Sequence, residues 1–202
     1  MKANFSTPAQ DYYNMVKRQS RMLGDYDLYT VCHSLRVART SYFIAHLLGL
    51  TSEQCRRVYY AANAHDIGKI GIPDSILHKR GSLTADEWII MKQHSALGAG
   101  MLMQSEPMEG IAYIVWCHHE RYDGTGYPNR LTGEQIPLEA RIIAVCDSFD
   151  AMKSKRAYRD SLPDKTCQNE IEKNIGVMYD PVVAELVLEN WQTMQKLQSV
   201  DI

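Results

Sequence analysis

The chain has 202 residues, a length that suits one folded domain and leaves little room for a second. Apolar residues make up 45% and charged residues 23%, the proportions of an ordinary globular protein. The net charge of −2 argues against a protein that coats nucleic acid or a membrane surface, so no DNA or RNA duplex is expected as a partner. An anionic ligand would therefore have to meet a local cluster of cations.

No apolar run approaches the ~20 residues that cross a bilayer, and the first 15 residues lack the apolar stretch of a secretory signal. The five cysteines form no Cys-x-x-Cys pair and their number is odd. This usage is typical of buried, reduced thiols. Together these features predict a cytoplasmic protein that does not partner with a membrane.

Helical signals run along most of the chain. Thr51 with Gln54, and Thr84 with Glu87, form capping boxes that satisfy the free amides at a helix start. The predicted helices cover 8–23, 29–49, 52–66, 84–93, 95–104, 108–119, 137–153, 163–174 and 181–197. The stretches 67–83 and 120–136 are rich in Gly, Pro and Asp and are predicted to be loops. No alternating pattern predicts a strand and no repeat or linker divides the chain, so we expect an all-α, single-domain helical bundle.

Several polar residues fall on helix faces that are otherwise apolar. His33, for example, shares a face with Val37 and Ile44 at 3.6 residues per turn. The residues placed at the core in this way, or beside such a position, are His33, His65, Asp66, His94, His118, His119 and Asp147. One such histidine alone would be interpreted as a hydrogen-bonded core residue, and Asp147 alone as part of a salt bridge. His46 and His78 do not fit the pattern and are predicted to lie at the surface.

Together, five imidazoles and two carboxylates converging on one dry place are what a cation needs, because a metal supplies the charge that their burial lacks. Seven ligands exceed the four of a tetrahedral zinc site. They suit two ions of higher coordination number that share a bridging carboxylate.

The adjacent pair His65-Asp66 begins the segment HDIGKIGIPDSIL, which is followed by HHERYDGTGYP at 118–128, by LTGEQIPLEARIIAVCDSFDAM at 131–152 and by RAYR at 156–159. This ordered set closely resembles the HD-GYP subfamily of the HD phosphohydrolase superfamily. The resemblance extends from about Asp27 to Trp191. It divides the chain into an N-terminal helical extension, residues 1–26, and an HD-GYP catalytic domain, residues 27–195.

The resemblance implies a helical bundle with a di-metal centre, most often of iron and sometimes of manganese. It assigns the metal ligands to the same seven residues and the bridging role to Asp66. Some family members bind a third metal through a glutamate one helical turn before the first histidine, and because this chain has Tyr29 there, we expect two divalent metal ions. Other departures from the family pattern are Arg130 in place of glycine, Lys153 in place of threonine and Ala157 in place of proline.

The implied activity is that of a phosphodiesterase that hydrolyses a cyclic dinucleotide such as cyclic di-GMP to the linear dinucleotide, with slower cutting to GMP as an alternative end point. Asp66 and Lys69 are the predicted catalytic residues, since Lys69 lies about one helical turn after Asp66 and can neutralise charge on a phosphate. The alternative for Lys69 is a solvated surface lysine.

The predicted substrate contacts are Lys69, Tyr127, Arg156 and Arg159. The two arginines suit phosphate oxygens and guanine edges, although exposed arginines in a loop also serve solubility alone. Tyr127 is expected either to stack on a base or to hold its loop against the bundle. Gly126 and Pro128 would shape that loop.

Three other functions compete with this interpretation. The first is hydrolysis of cyclic GMP-AMP by the same machinery, which the motifs do not distinguish from cyclic di-GMP hydrolysis. The second is a low-turnover module that binds the dinucleotide or docks a signalling partner through the Gly-Tyr-Pro loop. The third is a phosphohydrolase of free nucleotides, which that loop and the segment Arg156–Arg159 disfavour. Apolar residues within 12–23 also offer a surface for a homodimer.

Overall fold

The computed structural model describes residues 28–104, 108–154 and 161–199, except for the side chains of Leu28 and Tyr29. Its α-helices are α1 (Leu28–Leu47), α2 (Ser52–Ala64), α3 (Asp74–Leu77), α4 (Ala85–Met91), α5 (His94–Leu102), α6 (Glu109–Cys117), α7 (Leu138–Lys153), α8 (Asp164–Lys173), α9 (Pro181–Glu189) and α10 (Trp191–Gln198). Two 3₁₀ helices cover Ile67–Gly71 and Gly133–Gln135. These ranges contain no strand, only two isolated β-bridges, so the predicted all-α class is confirmed.

Four helices surround the core. α1 packs against α2 and α7, and α6 packs against both α2 and α7. α8 and α9 lie against α7, while α10 lies against α1. The side chains at the centre are fully buried and apolar, among them Val37, Ile44, Val58, Ile111, Ile142, Phe149 and Val187. Burial of this apolar surface stabilises the bundle at roughly 25 cal/mol per Å².

The predicted capping boxes are both present. Thr51 Oγ1 accepts a hydrogen bond from the Gln54 amide at 3.3 Å, and the Thr51 amide donates to Gln54 Oε1 at 2.9 Å. Thr84 and Glu87 make the same reciprocal pair at the start of α4. Because the free amides of each first turn find side-chain partners, these two helices begin where the sequence predicts.

The structure contradicts one predicted loop and one predicted continuous helix. The predicted loop 67–83 contains the first 3₁₀ helix and α3, because Pro73 places a preset backbone angle directly before the first turn of α3. The predicted helix 181–197 is interrupted at Asn190, whose side-chain amide donates to the Leu186 carbonyl at 2.9 Å. The Asn190 backbone amide still donates to the same carbonyl at 3.1 Å, but its backbone leaves helical geometry at φ −104° and ψ 20°, so α9 ends and α10 begins there.

The cysteines are predicted to be buried, reduced thiols: four of the five are buried, Cys32 is partly buried, and none is bonded to another described cysteine. Within the described ranges, no helix combines the length and the apolar character that a bilayer span requires. The predicted helix 8–23 and the predicted contacts Arg156 and Arg159 lie outside the described residues.

Gly68, in the middle of the first 3₁₀ helix, sits directly against α5. A Cβ atom added there would lie 1.9 Å from the His94 carbonyl oxygen and 2.5 Å from the Gly98 amide nitrogen. Glycine is therefore required by the close approach of two backbones. This contact holds the segment that follows His65-Asp66 against the helix that begins with His94.

We expect Gly68→Ala to lower the free energy of unfolding by about 1–3 kcal/mol, because the added methyl group must push the 3₁₀ helix and α5 apart. Urea unfolding followed by circular dichroism measures the change. The matched control is Gly100→Ala. Gly100 lies within α5, but no atom is within 4 Å of the added Cβ. That variant should be neutral or more stable by up to ~1 kcal/mol, and equal effects of the two substitutions would contradict the packing explanation.

Candidate metal centre

The seven side chains that the sequence places at the core come together at one end of the bundle. His33 projects from α1 and Asp147 from α7. His65 and Asp66 directly follow α2, His94 opens α5, and His118 and His119 directly follow α6. The predicted helices 52–66 and 108–119 are therefore two residues too long at their C-terminal ends, because the two histidine-containing pairs follow the helices. His94, predicted to lie between two helices, is the first residue of α5.

Three of the histidines use the carbonyl groups that a helix end leaves without an amide partner. The Nδ1 atom of His65 lies 2.6 Å from the Ala62 carbonyl oxygen, that of His94 lies 2.8 Å from the Met91 oxygen, and that of His118 lies 2.6 Å from the Val115 oxygen. A carbonyl oxygen only accepts, so Nδ1 must carry the proton. In the neutral ring the lone pair is then on Nε2, which is the atom free to bind a cation.

His33 is oriented by a carboxylate. Its Nδ1 donates to Asp150 Oδ2 at 2.7 Å, and its Nε2 lies 3.0 Å from Asp147 Oδ1. Asp150 is fully buried and also accepts hydrogen bonds from Arg36, Ser154 and Gln198. The network therefore anchors the ring of His33 from α7 and α10 as well as from its own helix.

The Nε2 atoms and carboxylate oxygens form two groups. In the first group, His33 Nε2 and His65 Nε2 lie 3.9 Å and 3.4 Å from Asp66 Oδ2, and Asp147 Oδ1 lies 4.0 Å from His65 Nε2. In the second group, His94 Nε2 lies 3.3 Å from His118 Nε2 and 3.1 Å from His119 Nε2.

Asp66 connects the two groups. Its Oδ2 faces the first group, and its Oδ1 lies 3.6 Å from His94 Nε2 in the second. One carboxylate with an oxygen toward each group is the geometry of a bridging ligand.

The atoms present fit metal ions better than they fit one another. His65 Nε2 is buried and has no hydrogen-bond partner among the residues that the structure describes, although buried polar atoms are almost always paired. His94 and His118 direct two lone pairs at each other across 3.3 Å, which is repulsive unless a positive charge lies between them. Two nitrogens that each lie about 2.1 Å from one ion, at right angles, would be about 3 Å apart. Imidazole and carboxylate are also the donors that divalent transition metals accept.

The electrostatics of the second group favour neutral imidazoles. Burial, and then the nearby His94, lowers the pKa of His119 to about 3. Burial, followed by the neighbouring histidines, also holds the pKa of His118 well below its usual value. These rings are therefore uncharged at neutral pH, as a metal ligand must be.

The first group is different because it contains the carboxylates. Burial disfavours a charged His33, but hydrogen bonds to Asp147 and Asp150 outweigh it and raise the pKa of His33 to about 9. Burial also opposes ionisation of Asp66, yet the charge of Lys69 keeps the pKa of that carboxyl well below its usual range. Lys69 Nζ lies 2.6 Å from Asp66 Oδ2.

A cavity of about 1180 Å³ opens over the two groups. Its floor includes His33, Asp66, His94, His119 and Asp147. Four cationic side chains line its walls, namely Lys69, Lys79, Lys92 and Arg121. The local cluster of cations that an anionic ligand requires is thus present in a chain whose net charge is negative.

The Gly-Tyr-Pro loop borders this cavity. The Tyr127 ring stacks on His119 with centroids 4.8 Å apart, a contact that supports its predicted role in holding the loop against the bundle. The predicted stacking of Tyr127 on a base stays a prediction. A Cβ on Gly126 would lie 2.3 Å from the Arg121 amide nitrogen, so glycine is required there. The buried Glu120 carboxylate accepts the amides of Asn129 and Leu131 and fixes the end of the loop beyond Pro128.

Some neighbours of the site were missed by sequence reasoning. Asp150 lies one helical turn after Asp147, and Arg36 lies one turn after His33, so the same periodicity would have placed both beside the cluster. His46 is exposed, as predicted. His78 is also exposed but lines the cavity. Arg130, which replaces the usual glycine, has a backbone φ of 56°, the left-handed region where glycine is favoured.

The chain is a helical bundle with histidines and aspartates clustered at one end. Comparison with known proteins identifies this arrangement as an HD domain. Residues 10–183 match the HD domain family. The chain is 41% identical over 180 residues to the 3'3'-cGAMP-specific phosphodiesterase 2 of Vibrio cholerae, covering 88% of this chain and 33% of that protein. It is 42% identical over 188 residues to the cyclic di-GMP phosphodiesterase of Thermotoga maritima, covering 92% of this chain and 51% of that protein.

The fold also has a relative among solved structures. A HDG"Y"P protein from Bdellovibrio bacteriovorus superposes with a TM-score of 0.69 at 15% identity, over 91% of this chain and 64% of that one. This chain belongs to the HD domain family, and its resemblance to the HD-GYP type is confirmed. It spans about a third to a half of the length of the two curated relatives. The family match begins at residue 10, inside the predicted extension 1–26, whose boundary stays a prediction.

We expect Asp150→Asn to weaken metal binding by about 10- to 100-fold, because the substitution removes the charge that orients His33 while keeping the side-chain shape. Competition with a chelator of known affinity measures the change, and elemental analysis gives the metal content. The control is Asp164→Asn, a carboxylate that pairs with Lys153 away from the cavity. Equal metal affinity in the two variants would contradict a positioning role for Asp150.

Metal binding should also release a proton from His33. The raised pKa means that this ring is protonated below about pH 9 in the metal-free protein, whereas a ligand must be neutral. The affinity for the metal should therefore increase as the pH rises from 7 toward 9, and it should be lower still at pH values below 7. Calorimetric titration at pH 7, in two buffers with different ionisation enthalpies, counts the protons. If metal binding releases no proton, or releases the same number of protons from wild type and from Asp150→Asn, His33 is not the group that loses the proton.

Proposed function

We propose that this chain is a metal-dependent phosphodiesterase that hydrolyses a cyclic dinucleotide, cyclic di-GMP, to the linear dinucleotide, with GMP as the alternative end product. The observation that carries the proposal is the pair of donor groups joined by Asp66 at the floor of a cavity with cationic walls. The cavity is larger than one phosphate needs, and its volume of about 1180 Å³ lies above the range of roughly 300–1,000 Å³ that is usual for ligand pockets. The two curated relatives, named as phosphodiesterases of cyclic dinucleotides, support the substrate class.

Two divalent ions, iron or manganese, would be held by the seven side chains. His33, His65 and Asp147 would bind one ion, His94, His118 and His119 would bind the other, and Asp66 would bridge them. When bound, such a pair supplies a water of lowered pKa and a clamp for phosphate oxygens. The family match and the unpaired buried Nε2 of His65 support this assignment.

The protein's own groups have separate tasks. Lys69 reaches the cavity beside Asp66, where its ammonium group would neutralise charge that develops on the phosphate. Buried neutral histidines keep their lone pairs available instead of binding protons from solvent. The loop anchored by Glu120 and Gly126 holds Tyr127 against His119, so the second donor group keeps its shape. Arg156 and Arg159 stay predicted substrate contacts.

Cyclic GMP-AMP is the second candidate substrate. It is favoured by the 41% identity to the Vibrio cholerae protein named for that specificity. Both dinucleotides present the same phosphodiester chemistry to the metal centre, so the difference must come from contacts with the bases. Side-by-side values of kcat/KM for the two substrates separate the candidates.

The direct test is incubation of metal-loaded protein with cyclic di-GMP and separation of the products by chromatography. We expect the linear dinucleotide to appear, to stop appearing after removal of metal by a chelator, and to return when Mn²⁺ or Fe²⁺ is added. The double variant His65→Ala/Asp66→Ala should lose both metal content and turnover, since it removes one ligand and the proposed bridge. His46→Ala, an exposed histidine outside the cavity, is the matched control and should behave like wild type.

Unchanged turnover in the double variant would overturn the proposed mechanism. Tight binding of cyclic di-GMP by metal-loaded wild type without any hydrolysis would favour a binding or partner-docking module instead. The homodimer and the signalling partner at the Gly-Tyr-Pro loop stay predictions. Size-exclusion chromatography with light scattering tests the homodimer.

A further inference from the structure

One wall of the cavity contains no predicted metal ligand and no predicted substrate contact. It is formed by α3, α4 and the residues on either side of α4. Its polar and aromatic lining includes Lys79, Trp88 and Lys92. None of these belongs to either donor group. A wall of this composition, with an indole and two amines, has the chemistry to bind a planar, anionic ligand.

Trp88 is the most unusual residue of this wall. Its side chain is 49% exposed, although it is one of the largest apolar groups in the chain. Within the described part of the chain, no aromatic ring stacks on its indole. Trp191, in contrast, is 4% exposed and packs edge-on against Phe149. An indole face left open inside a ligand cavity is a stacking platform for a planar ring.

Lys92 lies one helical turn after Trp88, on the same side of the helix. Its ammonium group is 5.3 Å from the centre of the Tyr127 ring, which in turn stacks on His119. These contacts lead from a proposed metal ligand to Lys92, which lines the cavity together with Trp88. Lys79, on the same wall, is paired with Glu87, whereas Lys92 has no carboxylate partner among the described residues. Lys92 is therefore the amine of this wall that remains available to an anion.

The proposed substrate needs such a second site. A cyclic dinucleotide has two phosphates and two bases, and the donor groups with Lys69 account for the one phosphate that is cut. The other phosphate and at least one base must lie elsewhere in the same cavity. A cation beside an open aromatic face is the combination with which proteins bind a phosphate and its adjacent base.

We propose that Trp88 and Lys92 form a subsite for the second nucleotide, in which the Trp88 indole stacks on a base and the Lys92 ammonium pairs with the phosphate that is not cut. This inference rests on the proposed function and deepens it. Since every base has a π-face, stacking on Trp88 selects a dinucleotide over a smaller phosphodiester without selecting guanine over adenine. The same subsite would thus accept cyclic di-GMP and cyclic GMP-AMP.

The test compares Trp88→Ala with Ile89→Ala. Ile89 is the neighbouring residue of α4, is 62% exposed and does not line the cavity, so it is a matched control. For each protein, kcat/KM is measured for cyclic di-GMP and for bis(p-nitrophenyl) phosphate, a diester that has no second nucleotide. The ratio of the two values should fall roughly 5- to 150-fold in Trp88→Ala, mainly through KM, and should stay unchanged in Ile89→Ala. Trp88→Phe should restore most of the ratio.

A second measurement does not depend on turnover. Rapid mixing of metal-loaded protein with cyclic di-GMP should quench the tryptophan fluorescence of wild type and of Trp116→Phe, but not that of Trp88→Phe. Lys92→Ala should raise KM and reduce its dependence on salt concentration, because one ion pair with phosphate is lost.

The outcomes separate the two proposals. If wild type hydrolyses cyclic di-GMP but Trp88→Ala and Ile89→Ala have the same ratio, the subsite is wrong and the function stands. If wild type binds the dinucleotide without hydrolysis, quenching that requires Trp88 supports the subsite while the enzymatic function fails. If wild type neither binds nor hydrolyses it, both proposals fail.

Discussion

The hydrogen bond at the Nδ1 atom of four of the five clustered histidines is the constraint on which the rest of this structure depends. His65, His94 and His118 each donate Nδ1–H to a carbonyl left free by a helix end, and His33 donates to Asp150. The bond determines both the tautomer and the direction of the ring, so the Nε2 atoms of these four rings face the two donor groups joined by Asp66. Without these partners the same histidines would be ordinary buried imidazoles. The helix ends of α2, α4 and α6 are thus parts of the candidate metal centre and not merely points where helices stop.

A collection of lone pairs and carboxylates of this kind is costly in a bundle whose other interior residues are apolar. The protein lowers that cost in part without metal, since His33 holds a proton between two carboxylates and Lys69 sits on Asp66. It leaves the second donor group neutral and His65 Nε2 unpaired. Bound cations would complete these contacts, and this difference between the two groups underlies the expected release of a proton from His33. The cavity above the centre is lined by lysines and by the Trp88 indole, which can bind an anion that carries a planar ring.

Much of the fold and of the site could be predicted from the sequence, and the reason is periodicity. A histidine at the position of an apolar residue is visible at 3.6 residues per turn, and spaced motifs such as HDIGK and HHERYDGTGYP resist coincidence. Asp150 was missed because one inward carboxylate, Asp147, already explained the face of α7. Trp88 was missed because an aromatic residue on a helix is usually core, and its exposure to a cavity depends on how α4 lies against distant segments.

By itself, the sequence determined the all-α class, the capped starts of α2 and α4, the family and the identity of the seven side chains that converge. These follow from local hydrogen bonding, from hydrophobic period and from motif spacing, all of which act between near neighbours in the chain. Only the tertiary structure decided that Asp66 faces both donor groups, that Asp150 reaches His33 across 117 positions of the chain, and that Trp88 and Lys92 border the same cavity. Those relations depend on how helices distant in sequence pack together, and no local pattern encodes the distance between them.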